Sequence, residues 1–295
     1  MKKLIAVLMI LCLMLPLSSA FAAKAKPPKL KLFTLEVGDV TQPVEGKGKW
    51  ESQHPEVATV SENGAITACG EGYTLVLCSN KKGEVQVRCE VKVGHKQMPE
   101  QLQTAIDTAI NEWAAAKDIS FPKYNKYTKW YNEAAKNGFG WCGAFVGYAY
   151  AQTGIEMDPE YKQKKAPPLS DGRPFAVRQA SQTKLFEGFR SRNRLTNIPE
   201  KGYYIIYGRK GSTPYTHIAL ITDVQPLGDG TYALQTVEGN LNSRIKRYSY
   251  LYDSLAPKKE KNIRSLPQEM RTQGDLFLYD YVADFYINCF GQTWY

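Results

Sequence analysis

The sequence predicts two folded units, a small all-β sandwich followed by an α+β domain. Three observations carry this. Residues 84–93 alternate strictly: Val85, Val87, Cys89, Val91 and Val93 share one face, and Gln86, Arg88, Glu90 and Lys92 share the other, the period of a strand. Beyond Pro99 the spacing changes to three and four, with Leu102, Ile106, Ile110 and Trp113 forming a helical stripe. From Tyr203 onward short apolar runs separated by turns return, so helices and strands share the second unit.

Length agrees with two units plus an export signal: the chain has 295 residues, more than one ordinary domain needs. Lys2 and Lys3 precede an apolar run from Leu4 to Leu17, and Ala20-Phe21-Ala22 supplies small residues for cleavage. Residues 1–22 therefore read as a secretory signal. Cys12 follows Leu11 rather than a small residue, which argues against a lipoprotein anchor. No later run is long enough to span a bilayer, so the expected location is outside the cytoplasm, secreted or wall-associated.

The formal charge is +9, which favours solubility and attraction to anionic surface polymers. Nucleic acid is excluded by export and by the lack of a binding motif. Signal cleavage leaves Cys69, Cys78, Cys89, Cys142 and Cys289, an odd set for an exported chain, so at least one thiol is free or intermolecular. With no C-x-x-C pair and only three histidines, a structural zinc site is not expected. No metal or organic cofactor is called for.

Residues 24–31 form a basic, proline-bearing lead-in. The sandwich is expected over 30–94, with turns at Glu62-Asn63-Gly64 and Lys81-Lys82-Gly83. A symmetric turn at 80–83 would set Cys78 opposite Val85 and Cys89 opposite Thr74. The sulfurs would then lie roughly 13 Å apart, too far to bridge. A bulge or a longer loop changes that, and the pairing stays open.

The helix over Gln101–Lys117 opens the second unit, because its apolar stripe needs a core that the sandwich does not offer. An aromatic and polar loop, Asn125 to Tyr131, follows. Cys142 to Thr153 reads as a helix ended by Gly154. Glu156 to Pro199 is a polar and basic connection with a helix near Ala176–Phe189, its charges read as a solvated face. Strands are expected at Tyr203–Tyr207, His217–Val224, Tyr232–Val237 and Ser243–Tyr252. Residues 256–295 form an aromatic C-terminal extension packed on the preceding domain at 99–255.

A cysteine at a helix start meets unpaired backbone N–H groups and the positive end of the helix dipole, which favour thiolate. A thiol nucleophile also needs a base and a group to hold that base. His54 and His95 belong to the sandwich and the linker, so His217, at the head of an apolar strand, is the base available by domain. Glu238 and Asn240 end the next strand and lie beside His217 if the two strands form a hairpin. A carboxylate there fixes the imidazole tautomer and stabilises the imidazolium.

Two resemblances refine this. Trp50-Glu51-Ser52, Pro55-Glu56-Val57-Ala58-Thr59-Val60-Ser61 and Asn63-Gly64-Ala65-Ile66-Thr67-Ala68, with the closing Val-x-Val strand, resemble a bacterial Ig-like domain of group 2. That implies a spacer or adhesive module, with His54 a surface residue. Asn125-Lys126-Tyr127-x-x-Trp130-Tyr131, Trp141-Cys142-Gly143-Ala144-Phe145-Val146, Thr153-Gly154-Ile155, His217-Ile218-Ala219-Leu220-Ile221 and Glu238-Gly239-Asn240 together resemble the CHAP domain, the cysteine, histidine-dependent amidohydrolase/peptidase.

The second resemblance covers about residues 101–250 and implies a papain-like α+β fold acting on peptidoglycan, as an N-acetylmuramoyl-L-alanine amidase or a stem or bridge endopeptidase. It implies Cys142 as nucleophile, His217 as base, and Glu238 and Asn240 as support, with Asn125, Tyr127, Trp130 and Trp141 near substrate. Two departures stand out. Gly202-Tyr203 replaces the Gly-Asp of many members, and Trp141 occupies the place of a glutamine that can donate to the oxyanion. Asn125 or Tyr127 would then have to supply the side-chain donor. Competing readings are a cysteine protease or amidase with another substrate, and an inactive wall-binding or adhesion protein. The intact Cys142, His217 and Glu238 argue against the last.

Overall fold

A computed structural model describes residues 28–94, 97–116, 119–158, 173–228, 230–256, 258–267, 270 and 284–294. The expected export signal, residues 24–27 of the basic lead-in, His95, and Lys162, Lys164 and Lys165 lie outside the described residues. The chain is mixed α+β, with two separate hydrophobic cores.

The N-terminal module is all strand. Strands β1 (Lys29–Leu35), β2 (Lys49–Ser52), β5 (Gly72–Ser79) and β6 (Val85–Val93) form a sheet in the order β1-β6-β5-β2. Strands β3 (Ala58–Val60) and β4 (Ile66–Ala68) form a separate hairpin. Val76, Cys78, Val87, Cys89, Val91 and Val93 supply the sheet side of the core, and Val57, Ala58 and Ile66 the other. The β5–β6 turn takes in Glu84, and a bulge follows at Cys78/Ser79. Cys78 therefore pairs with Val87, and Cys89 with Val76. This corrects the symmetric-turn register: the two cysteines are diagonal neighbours, two residues apart along the ladder instead of four. Both are free thiols.

The polar face of β6 leaves solvent along the strand, from exposed Gln86 through half-buried Arg88 to buried Glu90 and Lys92. Glu90 is buried, accepts from Tyr73 Oη at 2.5 Å and pairs with Arg88 at 2.6 Å. Lys92 reaches across to Glu200 of the second module at 3.6 Å, with its Nζ 3.2 Å above the Trp294 ring. The two modules thus dock through buried charge.

The second module opens with a 3₁₀ turn and helix α1 (Gln103–Ala115). Helices α2 (Lys126–Tyr131) and α3 (Cys142–Ala151) follow, then the short strands β7 (Met157–Asp158) and β8 (Ala176–Val177), helix α4 (Gln182–Ser191) and strand β9 (Leu195–Thr196). The helix expected from Ala176 starts later, where Ser181 caps α4 through its side chain. Strands β10 (Tyr204–Arg209), β11 (His217–Gly228), β12 (Thr231–Leu241), β13 (Arg244–Asp253), β14 (Ile263–Arg264) and β15 (Phe285–Gly291) complete a seven-stranded sheet. Its order is β14-β13-β12-β11-β10-β15-β9.

Strand β15 sits inside this sheet between β10 and β9. Residues 285–291 of the expected extension are therefore part of the sheet, where alternating Phe285, Ile287 and Cys289 are buried. Helix α3 lies against β11 and β12, and α1 packs on α3. Among the described residues no helix is long and apolar enough to cross a membrane.

Candidate active site

Strand register brings three side chains to one face of the sheet. Tyr207 on β10 lies directly opposite His217 on β11. Leu220 pairs with Val237 on β12, so by alternation His217 and Glu238 point to the same face, diagonally across the ladder. His217 Nε2 donates to Glu238 Oε2 at 2.9 Å. Glu238 Oε1 accepts from Tyr207 Oη and Thr236 Oγ1, both at 2.9 Å. Tyr250 Oη in turn bonds Tyr207 Oη. Glu238 is fully buried, and a buried carboxylate is tolerable only when its oxygens are occupied in this way. The imidazole, Tyr207 and Phe285 of β15 form a three-ring cluster with centroids 5.7 to 5.9 Å apart.

Glu238 occupies Nε2, which leaves Nδ1 of His217 as the nitrogen that can serve Cys142, a residue near enough to raise the imidazole. Cys142 is the first residue of α3, and its N-cap Trp141 offers no side-chain bond to the helix end. The backbone N–H of Gly143 is free to donate to the sulfur. Burial pushes the thiol up. The hydrogen bond and charge of His217, with donation from Gln182 and Gly143, outweigh it and hold Cys142 below the ordinary thiol value. Burial likewise pushes His217 down, but its bonds to Cys142 and Glu238 dominate and raise it to about 10. Together these shifts favour a thiolate–imidazolium pair. Cys142 is 2% and His217 5% exposed, so the pair is little screened by water.

Gln182 was not anticipated. Its Nε2 donates to Cys142 Sγ at 3.0 Å, from the first turn of α4. Two close approaches assemble this arrangement. A Cβ on Gly143 would stand 2.7 Å from Ala180 O and 2.8 Å from Gln179 O, so only glycine lets the chain leading into α4 lie against α3. A Cβ on Gly239 would stand 2.5 Å from Phe145 Cβ, so glycine also lets β12 run against α3 and deliver Glu238.

Several expected site residues have other duties. Asn125 caps α2: its Oδ1 accepts from the N–H groups of Tyr127 and Thr128, and its Nδ2 donates to Pro122 O. Tyr127 is buried, donates to Glu112 Oε2 at 2.7 Å and stacks on Trp141 at 5.2 Å. Trp141 is itself fully buried, edge-on to Phe121 and Phe145. Capping engages the Asn125 side chain and the core takes in Tyr127 and Trp141, while the buried indole N–H of Trp141 has no hydrogen-bond partner among the described residues.

Asn240 stands apart from the Glu238 network. The β12–β13 register shifts between Glu238 and Leu241, and Asn240 turns into the left-handed region at φ 62°. Its Nδ2 lies 3.5 Å from where a Gly140 Cβ would be, beside the chain approaching Cys142. Trp130 is half-buried against Tyr148 with the Arg178 guanidinium 5.1 Å from its ring centroid. With Tyr131, whose hydroxyl donates to Gln179 Oε1 at 3.2 Å, and Phe139 it forms a half-buried aromatic apron near the site. Compared with protein-family models, curated protein sequences and solved structures, the chain matches none.

Proposed function

We propose that this chain is an extracytoplasmic cysteine amidohydrolase or peptidase that cleaves amide bonds in peptidoglycan, on a papain-like domain preceded by an Ig-like module. The observation that carries the reaction class is the buried cluster of Cys142, His217 and Glu238, with His217 bonded to Glu238, Gln182 bonded to the sulfur, and the sulfur at the N-terminus of α3. The substrate class rests on the CHAP-like wording around Cys142, His217 and Glu238 and on the export signal read at residues 1–22.

The chemistry is acyl transfer. The Cys142 thiolate attacks the amide carbonyl carbon, and the oxygen takes the displaced electron pair. Nε2 of Gln182 and the backbone N–H groups at the start of α3 are the donors that stand near enough to meet that oxyanion. The His217 imidazolium gives its proton to the leaving amine as the C–N bond breaks, leaving a thioester. Neutral His217 then takes a proton from water, the hydroxide attacks the thioester, and the carboxylic acid departs with return of the thiolate–imidazolium pair. Glu238, anchored by Tyr207 and Thr236, keeps the imidazole in one tautomer and offsets its charge.

The test is to incubate purified wall with the mature protein and with Cys142→Ala, then identify released fragments by mass spectrometry. New N-terminal L-alanine marks an amidase, and new stem or bridge termini mark an endopeptidase. Identical fragments from both proteins would refute the reading.

A further inference from the structure

Strand β15 carries one residue more than its ladder with β10 requires. Ile206 pairs with Cys289, but the next residue, Tyr207, pairs with Ile287, so Asn288 is left over as a bulge. Side chains alternate along a strand, and a shift of one residue turns every later side chain to the other face. In an unbroken ladder Tyr207 would meet Asn288, and Phe285 would fall on the side of the sheet away from His217. The bulge instead pairs Ile287 with Tyr207 and Phe285 with Arg209, on the face that carries the imidazole. The Phe285 ring thereby lies 5.9 Å from the His217 ring, with 24° between their planes.

The bulge is held from outside the ladder. Strand β9 pairs with β15 at Phe290 and Gly291, which leaves the outer edge at Ile287 to Asn262. That buried residue donates from Nδ2 to Ile287 O at 2.7 Å and accepts the Ile287 N–H at Oδ1 at 3.0 Å. One amide thus meets both backbone groups, as a neighbouring strand would, because an amide offers a donor and an acceptor together. The exposed Lys259 adds bonds from Nζ to the O and Oδ1 of Asn288, the extra residue itself, at 3.1 and 3.0 Å. A Cβ on Gly208 would run into the Tyr286 ring, so glycine at that position admits the shifted register.

The seating of Phe285 has a chemical consequence. An aromatic face beside an imidazole favours its cationic form through the ring quadrupole. The titratable and charged groups around His217 are Cys142 on α3, Glu238 on β12 and Tyr207 on β10, with the Arg209 guanidinium beyond Phe285, 5.7 Å from its centroid. Asn262 bonds to none of these; its partners are Ile287, Lys259 O and the Asp253 N–H. An effect of Asn262 on the imidazole therefore travels through β15.

We propose that Asn262 is a positioning residue for the Cys142–His217 pair: by holding the β15 bulge it seats Phe285 against the imidazole. This rests on the proposed reading of that pair as the reactive one.

The test follows the His217 ring protons by NMR in the full mature chain, which has only three histidines to assign, and needs no substrate. Phe285→Leu keeps the site apolar and removes the ring. It should abolish the ring-current shift from Phe285 and lower the midpoint of the imidazole titration by about half a pH unit, the worth of one cation–ring contact. Asn262→Ala should move both readouts in the same direction, with no further change in the double variant. Asn262→Gln, which displaces the same amide by one methylene, is the milder variant and carries the comparison if Asn262→Ala does not fold. Lys92→Met, which loosens the module seam, is the control for lost stability and should leave both readouts at their wild-type values. Asn262 variants that melt earlier but keep the wild-type shift and midpoint would overturn the proposal. So would an equal change in Lys92→Met, or additive changes in the double variant. Wall cleavage by the wild-type chain is scored separately. Cleavage with an imidazole indifferent to Asn262 removes the positioning role and leaves the hydrolase, and the coupled NMR changes without cleavage do the reverse.

Discussion

The side-chain amide of Gln182 donates to the sulfur of Cys142 at 3.0 Å across a sequence separation of 40 residues. A donor on the sulfur stabilises thiolate over thiol, and under the proposed reaction the same amide is a donor for the oxyanion formed on a carbon joined to that sulfur. Gln182→Ala should therefore lower kcat/KM on wall fragments by about 100-fold. The same change should raise the pH at which Cys142 becomes alkylable. An unchanged alkylation profile with unchanged kcat/KM would mean that Gln182 only fills space.

Activity should follow the lifetime of the ion pair. It should rise with pH as Cys142 loses its proton below the ordinary thiol value, and fall as His217 loses its own near pH about 10. Glu238→Gln keeps the shape but removes an anion that raises His217, so the alkaline limb of kcat/KM should move to lower pH. The rate should also drop by about 100-fold or more. An alkaline limb that stays in place would exclude Glu238 as the partner of His217.

Gly143→Ala tests the approach of α4 to α3. Its new Cβ would press on Ala180 O and Gln179 O at 2.7 and 2.8 Å, both backbone atoms that cannot rotate away. The chain at 179–180 must retreat and take Gln182 with it. The expected result is activity as low as that of Gln182→Ala, with no further loss in the double variant. Additive losses would show that the two residues act separately.

The cysteines should separate by reactivity. Cys69 is exposed, while burial pushes Cys89 and Cys289 up to about 12. Iodoacetamide at pH 7 should label Cys142 through its thiolate and Cys69 through its exposure. Cys89 and Cys289 should label only after unfolding. Peptide mapping reads this directly, and labelling of Cys142 no faster than in denatured chain would argue against an activated thiol.

Lys92→Met removes the cation between Glu200 and Trp294 and leaves the Glu200 carboxylate partly buried without it. Thermal unfolding should show destabilisation of roughly 1–3 kcal/mol. Adding Glu200→Gln should recover part of it, because the stranded charge goes with the carboxylate. A double variant less stable than either single one would contradict this account.

Residue type and order were enough to single out Cys142, His217 and Glu238. A helix start lowers a thiol's pKa locally, and strand alternation carries His217 and Glu238 to one face once β11 and β12 pair. The same alternation would bring Asn240 along, but the shifted ladder and a left-handed backbone intervene, and neither is visible in composition. Asn125, Tyr127 and Trp141 are polar or aromatic residues near the nucleophile in sequence. The Asn125 cap is local to α2, whereas the stacking of Tyr127 on Trp141 appears only when α2 packs on the start of α3.

Local pattern by itself determined the two units, the all-β run before the linker, the mixed domain after it, and the chemistry offered by one cysteine and one available histidine. These follow from periodicity and titration, which act over a few residues. Only the tertiary structure placed Gln182 on the sulfur, Phe285 on the imidazole, β15 inside the sheet, and Glu90 and Lys92 in the inter-module seam. Those contacts join segments tens of residues apart, and glycine-permitted close approach and strand order settle them. No single stretch of chain encodes either.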